Sequence, residues 1–417
     1  MIAAYLQKLR LFNRDARLFL IASGLTGFAV DGIRAVLLNL YLLRLGHDTV
    51  FIGQINAMGS LAMSIFCLPA GVLGARWGIR RMLIASLCMM AAGYGLLPLV
   101  EFVPTTWQTG WLFTTYILAS FGMSWYYVSG IPFLMGITGS EERSHAFSIQ
   151  IAISFLAGFA GSLIGGMLPG ILAKVLSISP EDPMSYRYLL FTAALLLIPG
   201  IVALLATGEA RFNQSQERVT DEAGRIPYGP IALIMIVVAL RFAGRGLTTT
   251  FFNVYMDMEL DAPVALIGAL SAAGQLLSVP VALATPLLVA RWGNGLTIAL
   301  GSFGIALSIL PLALVPHWSA AGLGFIGVAT LFSMTTAPIR VYSQEIVAPN
   351  WWSTISGALN MGAGLSISVM ALGGGYAIAS LGYRALFLTG ASLTAVGALI
   401  FWLYARVPRG ELARQSL

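Results

Sequence analysis

Five charged residues sit where the surrounding sequence should exclude charge. Asp31 and Arg34 lie in FAVDGIRAVLLNLY (residues 28–41), Arg241 and Arg245 in ALRFAGRGLTTTFFNVY (239–255), and Arg340 in TTAPIRVYSQE (335–345). Arg241 directly follows the apolar run Ile231 to Leu240. On a helix, Arg241 and Arg245 are i,i+4 and share a face, which Thr248, Phe252 and Tyr255 continue; Asp31 and Arg34 are i,i+3 and also share one. A charge at the centre of a bilayer costs about 2.5–3.5 kcal/mol on insertion scales, so it persists where it meets water, a partner or a substrate. Arginine stays protonated in proteins. Four arginines against Asp31 leave an excess of three positive charges, or two if Glu345 partners Arg340. The planar guanidinium fork binds carboxylate and phosphate bidentately. The chemistry these residues could do is therefore recognition of a small anionic or zwitterionic molecule. The plainer alternative is that Arg241 or Arg340 snorkels to an interface or bonds backbone carbonyls near Pro338.

The elements that must position these residues follow from composition. The chain has 417 residues, is 58% hydrophobic and 10% charged, and has a mean hydropathy of +0.85. Soluble domains are about 45–50% apolar and about 25% charged. Apolar runs of about 20 residues, the length that spans a bilayer core as helix, recur along the chain. The alternating segments of a β-barrel are missing. This is the pattern of an all-α polytopic membrane protein. Twelve spans are predicted, near 18–43, 51–75, 82–103, 109–137, 147–174, 188–207, 230–256, 263–289, 295–315, 319–344, 353–379 and 385–405. The one long polar segment, 208–229, reads as a linker between an N-terminal bundle (1–207) and a C-terminal bundle (230–417) of six helices each.

Basic residues set the expected orientation. Fifteen Lys and Arg outside the spans, among them Arg76, Arg80, Arg81 and Arg291, fall on one side; Arg44, Lys174, Arg187 and Arg384 fall on the other. The positive-inside rule then puts both termini and the linker in the cytoplasm, in a plasma (inner) membrane. The net charge of +6 is explained by this placement and not by nucleic-acid binding. Cys67 and Cys88 lie in apolar segments without a CxxC or Cys/His cluster, so no metal, cofactor or disulfide framework is expected.

The chain also repeats itself. ARWG occurs at 75–78 and at 290–293; LLNLY (37–41) parallels FFNVY (251–255), FIGQINA (51–57) parallels LIGALSA (266–272), and YRYLLFT (186–192) parallels YRALFLT (383–389). Gly165 and Gly166 pair more weakly with Gly374 and Gly375. Matches in one order imply a tandem duplication of a six-helix unit, its copies related by a two-fold axis along the membrane normal, a transporter design with its site at midplane. The alignment sets Asp31 opposite Arg245. An Asp31–Arg245 ion pair, a local Asp31–Arg34 pair and a shared network are all compatible with that placement.

Twelve spans in two sixes, a cytoplasmic linker and a basic loop after the second span resemble the major facilitator superfamily. GVLGARWGIRR (71–81) is similar to its signature loop: Gly71, Arg76, Gly78, Arg80 and Arg81 match, Arg80 one place late, while Ala75 stands where the pattern has Asp. The second copy, PLLVARWGNG (286–295), keeps Arg291 and Gly293. GSEERSHAFS (139–148) resembles the loop after the fourth span in a bacterial branch of the superfamily. The resemblance implies a secondary transporter that rocks two halves around a central cavity lined by spans one, four, seven and ten, with the signature loop as a cytoplasmic gate. Substrate and coupling residues are then expected at Asp31, Arg34, Arg241, Arg245 and Arg340. Asn39, Asn253, Tyr126, Tyr127 and Gln275 join them as polar or aromatic residues facing the path. Weaker candidates are Gln54, Tyr342, Gln344 and Asn360.

Coupling to protons would need a titratable group in a span. His47, His145 and His317 are all expected in loops, which leaves Asp31, the one acid expected to be buried. A lipid or lysolipid flippase, or a multidrug exporter, of the same fold is the alternative function. An enzyme is not expected, since no HExxH, P-loop, GxSxG or paired-carboxylate arrangement occurs. The expected partners are a small-molecule substrate, membrane lipids and, with Asp31, protons, acting on a monomer.

Overall fold

The computed structural model describes residues 13–139, 143–209, 228–347 and 351–406. The basic N-terminal segment before Asn13, Glu141 and Glu142 of the loop after the fourth span, and most of the 208–229 linker lie outside the described residues. Among the described residues, ten helices are long and apolar enough to cross a membrane. They are α1 (Arg14–Arg44), α2 (Thr49–Trp77), α3 (Ile79–Phe102), α4 (Thr105–Ile137), α5 (Arg143–Leu176), α6 (Pro183–Leu205), α7 (Tyr228–Met258), α8 (Val264–Leu314), α9 (Trp318–Glu345) and α10 (Trp352–Ala405).

Capping residues carry several helices beyond their apolar stretches. Asn13 caps α1, accepting from the Ala16 amide at 2.8 Å, and Asp15 adds a negative charge to the first turn. Asp182 caps α6 in the same way, ahead of Pro183, whose missing N–H costs nothing at the first position. The hydrophobic pattern alone starts these helices near 18 and 188. The polar caps and first turns, which lie at the membrane boundary, account for the difference.

Two helices are much longer than a bilayer is thick. α8 has 51 residues and α10 has 54, against the roughly 20 that cross a bilayer core as helix. Each is interrupted by a glycine in the left-handed region, Gly293 (φ 75°) in α8 and Gly382 (φ 78°) in α10. A residue with a Cβ pays a steric penalty there, so the break falls at glycine. α8 covers the predicted eighth and ninth spans, and α10 the eleventh and twelfth.

The described chain forms two compact units. Residues 13–45 and 65–209 make the first; 46–64 and 228–406 make the second. In the first unit α1 presses closely on α5. A Cβ at Gly32 would stand 2.6 Å from the Gly161 Cα, so the two backbones meet where neither carries a side chain. Small residues at such crossings are how helices associate in lipid, where no hydrophobic effect drives them together. At this contact α1 winds as a π-helix over Gly27–Arg34, and the Ala35 amide reaches the Val30 carbonyl. Apolar periodicity predicts an uninterrupted α-helix here, so the wider turn is a departure from it. Such π segments collect at functional sites.

In the second unit α7 packs along α10, with Gly244 against Gly390 and Thr394, and Gly397 against the backbone of Arg241. The start of α2 also belongs to this unit. Gly53 meets Ala371 and Gly375, Gln54 donates to Tyr376 Oη at 3.1 Å, and Ser368 donates to the Ala57 carbonyl at 2.9 Å.

Candidate functional site

Asp31 and Arg34 both stand on the π-wound segment of α1. The wider turn carries Arg34 around the axis from its α-helical position, yet Asp31 still has Arg34 and the Tyr127 hydroxyl as its electrostatic neighbours. Arg34 folds back so that Nε donates to the Val30 carbonyl at 3.1 Å, and its guanidinium carbon lies 5.4 Å from the centre of the Tyr94 ring. Tyr116 completes its polar surroundings. Beside Arg34 is a cavity of about 10 Å³, lined by Leu38 of α1, Tyr94 and Leu97 of α3, and Leu190 and Ala194 of α6. That is the lower limit for a single water. From α4, Tyr126 donates to Ser23 Oγ at 3.0 Å and is buried, whereas neighbouring Tyr127 is 45% exposed. Around Asp31 and Arg34 the first unit thus gathers four phenols, Tyr94, Tyr116, Tyr126 and Tyr127.

The second unit is built differently. Arg241 is 3% exposed, and its Nε donates to Ser302 Oγ of α8 at 2.6 Å. The Ser302 hydroxyl in turn donates to the Ile298 carbonyl at 2.6 Å, which leaves its oxygen to accept from the arginine. Among the described residues the terminal nitrogens of Arg241 have no acceptor. One turn on, the Arg245 guanidinium carbon lies 3.6 Å from the centre of the Phe332 ring of α9, which Phe242 holds edge-on at 4.9 Å. A cation over an aromatic face gains about 0.5–2 kcal/mol, more when desolvated. No Asp or Glu occurs from 228 to 256. The rest of the α7 stripe is core: Thr248 is fully buried, Phe252 stacks on Phe325 at 4.0 Å, and Tyr255 packs on Tyr383 and Phe387.

The remaining predicted residues are scattered. Asn39 and Asn253 are both buried, at 7% and 6% exposure, and Gln275 is half-buried on α8. Arg340 is exposed near the end of α9 and forms no ion pair among the described residues; Glu345 accepts from Asn294 at 3.3 Å instead. In the loop after α2, Gly71 falls within the helix and Arg76 is exposed. Gly78 adopts φ 88°, and Arg80 reaches the end of α6, donating to the Leu204 and Leu205 carbonyls at 3.3 and 2.6 Å. A cation there satisfies orphan carbonyls and the negative end of the helix dipole. Arg81 approaches Glu209 at 3.9 Å, while Arg291 and Gly293 are exposed on α8.

The sequence pattern of the Major Facilitator Superfamily matches residues 19–371, most of the chain. The chain belongs to the Major Facilitator Superfamily. It is a transporter with multiple membrane-spanning helices. Solved superfamily structures share its fold. The nucleoside transporter NupG is similar with a TM-score of 0.70 at 15% identity, covering 94% of this chain and 99% of that one. A POT family transporter in complex with 5-aminolevulinic acid gives 0.72 at 13%, covering 94% and 96%. The xylose transporter XylE from E. coli gives 0.71 at 13%, covering 93% and 94%. No curated protein matches the chain by sequence.

Within this superfamily fold, several polar residues escape sequence reasoning. Tyr94 and Tyr116 sit in apolar runs and read as packing. Ser302 and Phe332 carry no signal at all until α7 is placed against α8 and α9. Half-buried Glu101 is another. Its side chain is 23% exposed at the end of α3, and it pairs with Arg187 of α6 at 2.7 Å. The signal was available: Glu101 falls inside a predicted span, and Arg187 directly before one.

Proposed function

We propose that this superfamily member is a secondary transporter of a small anionic or zwitterionic solute, working by alternating access. The observation that carries the reading is α7. It bears two arginines on successive turns and no acid from 228 to 256, and one of the two is buried against a neutral hydroxyl. A cation held that way in a membrane helix marks a substrate path. In the first unit the positive charge of Arg34 is met by Asp31, which is the group available to carry a coupling proton.

The same reading takes α8 and α10 as two spans each, for twelve in two repeated sixes. Backbone geometry supports the duplication. The two ARWG copies both turn at a left-handed glycine, Gly78 and Gly293, and the loops before α2 and α8 both hold a left-handed residue, Gly46 and Asp261. Gly165 packs on Ile33, and its aligned partner Gly374 packs on Leu247, the residue aligned with Ile33. The basic-residue asymmetry supports a plasma (inner) membrane location with cytoplasmic termini, and a lipid-surrounded monomer completes the proposal.

The test is uptake by proteoliposomes of a panel of organic anions and cations, with and without a pH gradient. The reading expects accumulation of anions that Arg245→Ala abolishes. Accumulation of cations alone, unchanged in Arg245→Ala, would refute it.

A further inference from the structure

We infer that Arg241 holds a small monovalent anion inside the second unit, bound by the terminal nitrogens of its guanidinium: a halide or a lone carboxylate. This goes beyond the transport reading, because the site binds its anion whether or not that anion is carried.

Arg241 lies in the packed interior of one unit, at 3% exposure. One turn back along α7, Val237 and Val238 belong to a buried cluster with Ile298 of α8 and Phe401 of α10. Gly397 of α10 brings that helix against the α7 backbone at Leu240 and Arg241. Ser302, one turn beyond Ile298, accepts from Nε at 2.6 Å, and its own hydroxyl donates to the Ile298 carbonyl at 2.6 Å. The side chain is thus fixed by one edge. Among the described residues its terminal nitrogens have no acceptor, it forms no ion pair, and no charged group acts on it.

The fold does not require this pair. Counted from the repeated motifs, the positions in the first half that match Arg241 and Ser302 are Gly27 and Leu87. Gly27 leaves no room for a side chain, since a Cβ there would stand 2.7 Å from the Ser154 carbonyl. One half therefore packs with glycine and leucine where the other carries a cation and a hydroxyl.

A guanidinium does not shed its charge. Buried without a counter-charge it is costly, and a hydroxyl supplies a dipole and not a charge. An anion supplies the charge and accepts from the remaining N–H donors of the fork. One guanidinium balances one negative charge, and the close packing around it favours a small ion. On this reading Ser302 is a positioning residue. It aims the Arg241 fork and does not touch the anion.

The experiment uses the full chain purified in detergent, at fixed pH and constant ionic strength, with gluconate, too bulky for an enclosed site, as the background anion. Thermal stability is measured as chloride or formate replaces gluconate. The inference expects a saturable rise with at least one of the two, because an anion that binds the folded state raises its stability with concentration. The tighter of the two names the source: chloride an inorganic counter-ion, formate the carboxylate of an organic molecule. Arg241→Gln should abolish the rise. Ser302→Ala, which keeps the charge, should weaken the apparent affinity roughly two- to tenfold, the worth of one hydrogen bond. Size-exclusion profiles identify variants that fail to fold, and if Arg241→Gln is among them Ser302→Ala carries the test. No saturable rise with either anion, or an unchanged apparent affinity in the folded variants, overturns the inference. Uptake that depends on Arg245 is measured separately, so failure here leaves an anion carrier standing.

Discussion

Nη1 of Arg187 donates to Oε2 of Glu101 at 2.7 Å and joins α6 to α3 at one end of the first unit. Tyr41 of α1 donates to the other carboxylate oxygen at 2.9 Å, so three helices converge on one acid. Both members of the ion pair are mostly enclosed, at 15% and 23% side-chain exposure. Removing one partner of such a pair costs more than the pair is worth, because a charge is left behind without compensation. Arg187→Met is expected to destabilise the protein by roughly 2 kcal/mol, and adding Glu101→Gln should recover part of the loss. Thermal unfolding in detergent measures both. Strictly additive costs would show that the two residues are not coupled.

The α1–α5 crossing allows a second prediction. A Cβ at Gly32 would meet the Gly161 backbone, and one at Gly27 would come within 2.7 Å of the Ser154 carbonyl. Backbone cannot move aside as a flexible side chain does. Gly32→Val should therefore lower the yield of folded protein sharply, a cost of about 3 kcal/mol or more for overpacking against backbone. Gly170→Ala on the same α5, where a Cβ meets nothing within 4 Å, is the control and should be neutral or slightly stabilising. A folded yield of Gly32→Val equal to that of Gly170→Ala would contradict the close crossing.

These relationships show which features of the fold are visible in the sequence. Hydropathy finds the membrane helices because lipid leaves the backbone no alternative but helix. The repeated ARWG is visible because the turn that follows needs a left-handed glycine twice. The π winding of α1 is not visible, because it arises where Gly27 and Gly32 let a second helix approach. The partners of Arg241 and Arg245 escape for a related reason. Ser302 and Phe332 are ordinary residues until tertiary packing brings α8 and α9 to α7. Asp31, Arg34, Arg241 and Arg245 stand out as anomalies in apolar sequence, whereas Tyr94 and Tyr116 do not, since aromatics are common in such runs.

Gly293 offers a clean measure of backbone strain. It has φ 75°, and a Cβ built there meets nothing within 4 Å. Gly293→Ala should therefore cost the positive-φ penalty alone, about 1–3 kcal/mol. Gly382→Ala, with φ 78° and equally open space, should cost the same. Matching losses in thermal stability would assign the cost to the backbone; a much larger loss at one position would mean a contact matters there.

His47, in the loop before α2, stacks on Phe51 at 4.0 Å, and partial burial lowers its pKa while Asp48 opposes the shift. A histidine whose folded pKa lies below its unfolded value favours the neutral folded form. Its contribution is thus present above pH 6.5, the unperturbed value, and is lost as pH falls. Thermal stability should drop modestly between pH 7.5 and 5.5, and His47→Phe should flatten that slope. An unchanged slope would assign the pH dependence to other groups.

Asp31, Tyr126 and Tyr127 separate coupling from architecture. Asp31 has the Arg34 charge and the Tyr127 hydroxyl beside it, and the proposed coupling has it exchange a proton as those partners shift. In proteoliposomes Asp31→Asn should keep counterflow exchange but lose accumulation driven by a pH gradient. Tyr127→Phe removes the hydroxyl beside that carboxylate without touching the core, since Tyr127 is 45% exposed. It should move the pH at which accumulation is half-maximal and leave thermal stability within about 0.5 kcal/mol. Tyr126→Phe should do the reverse. Its hydroxyl is buried on Ser23, so its loss costs about 1 kcal/mol of stability with the pH profile in place. If Asp31→Asn still accumulates solute against the gradient, the coupling proton is carried elsewhere and the Tyr127 effect on the profile should vanish with it.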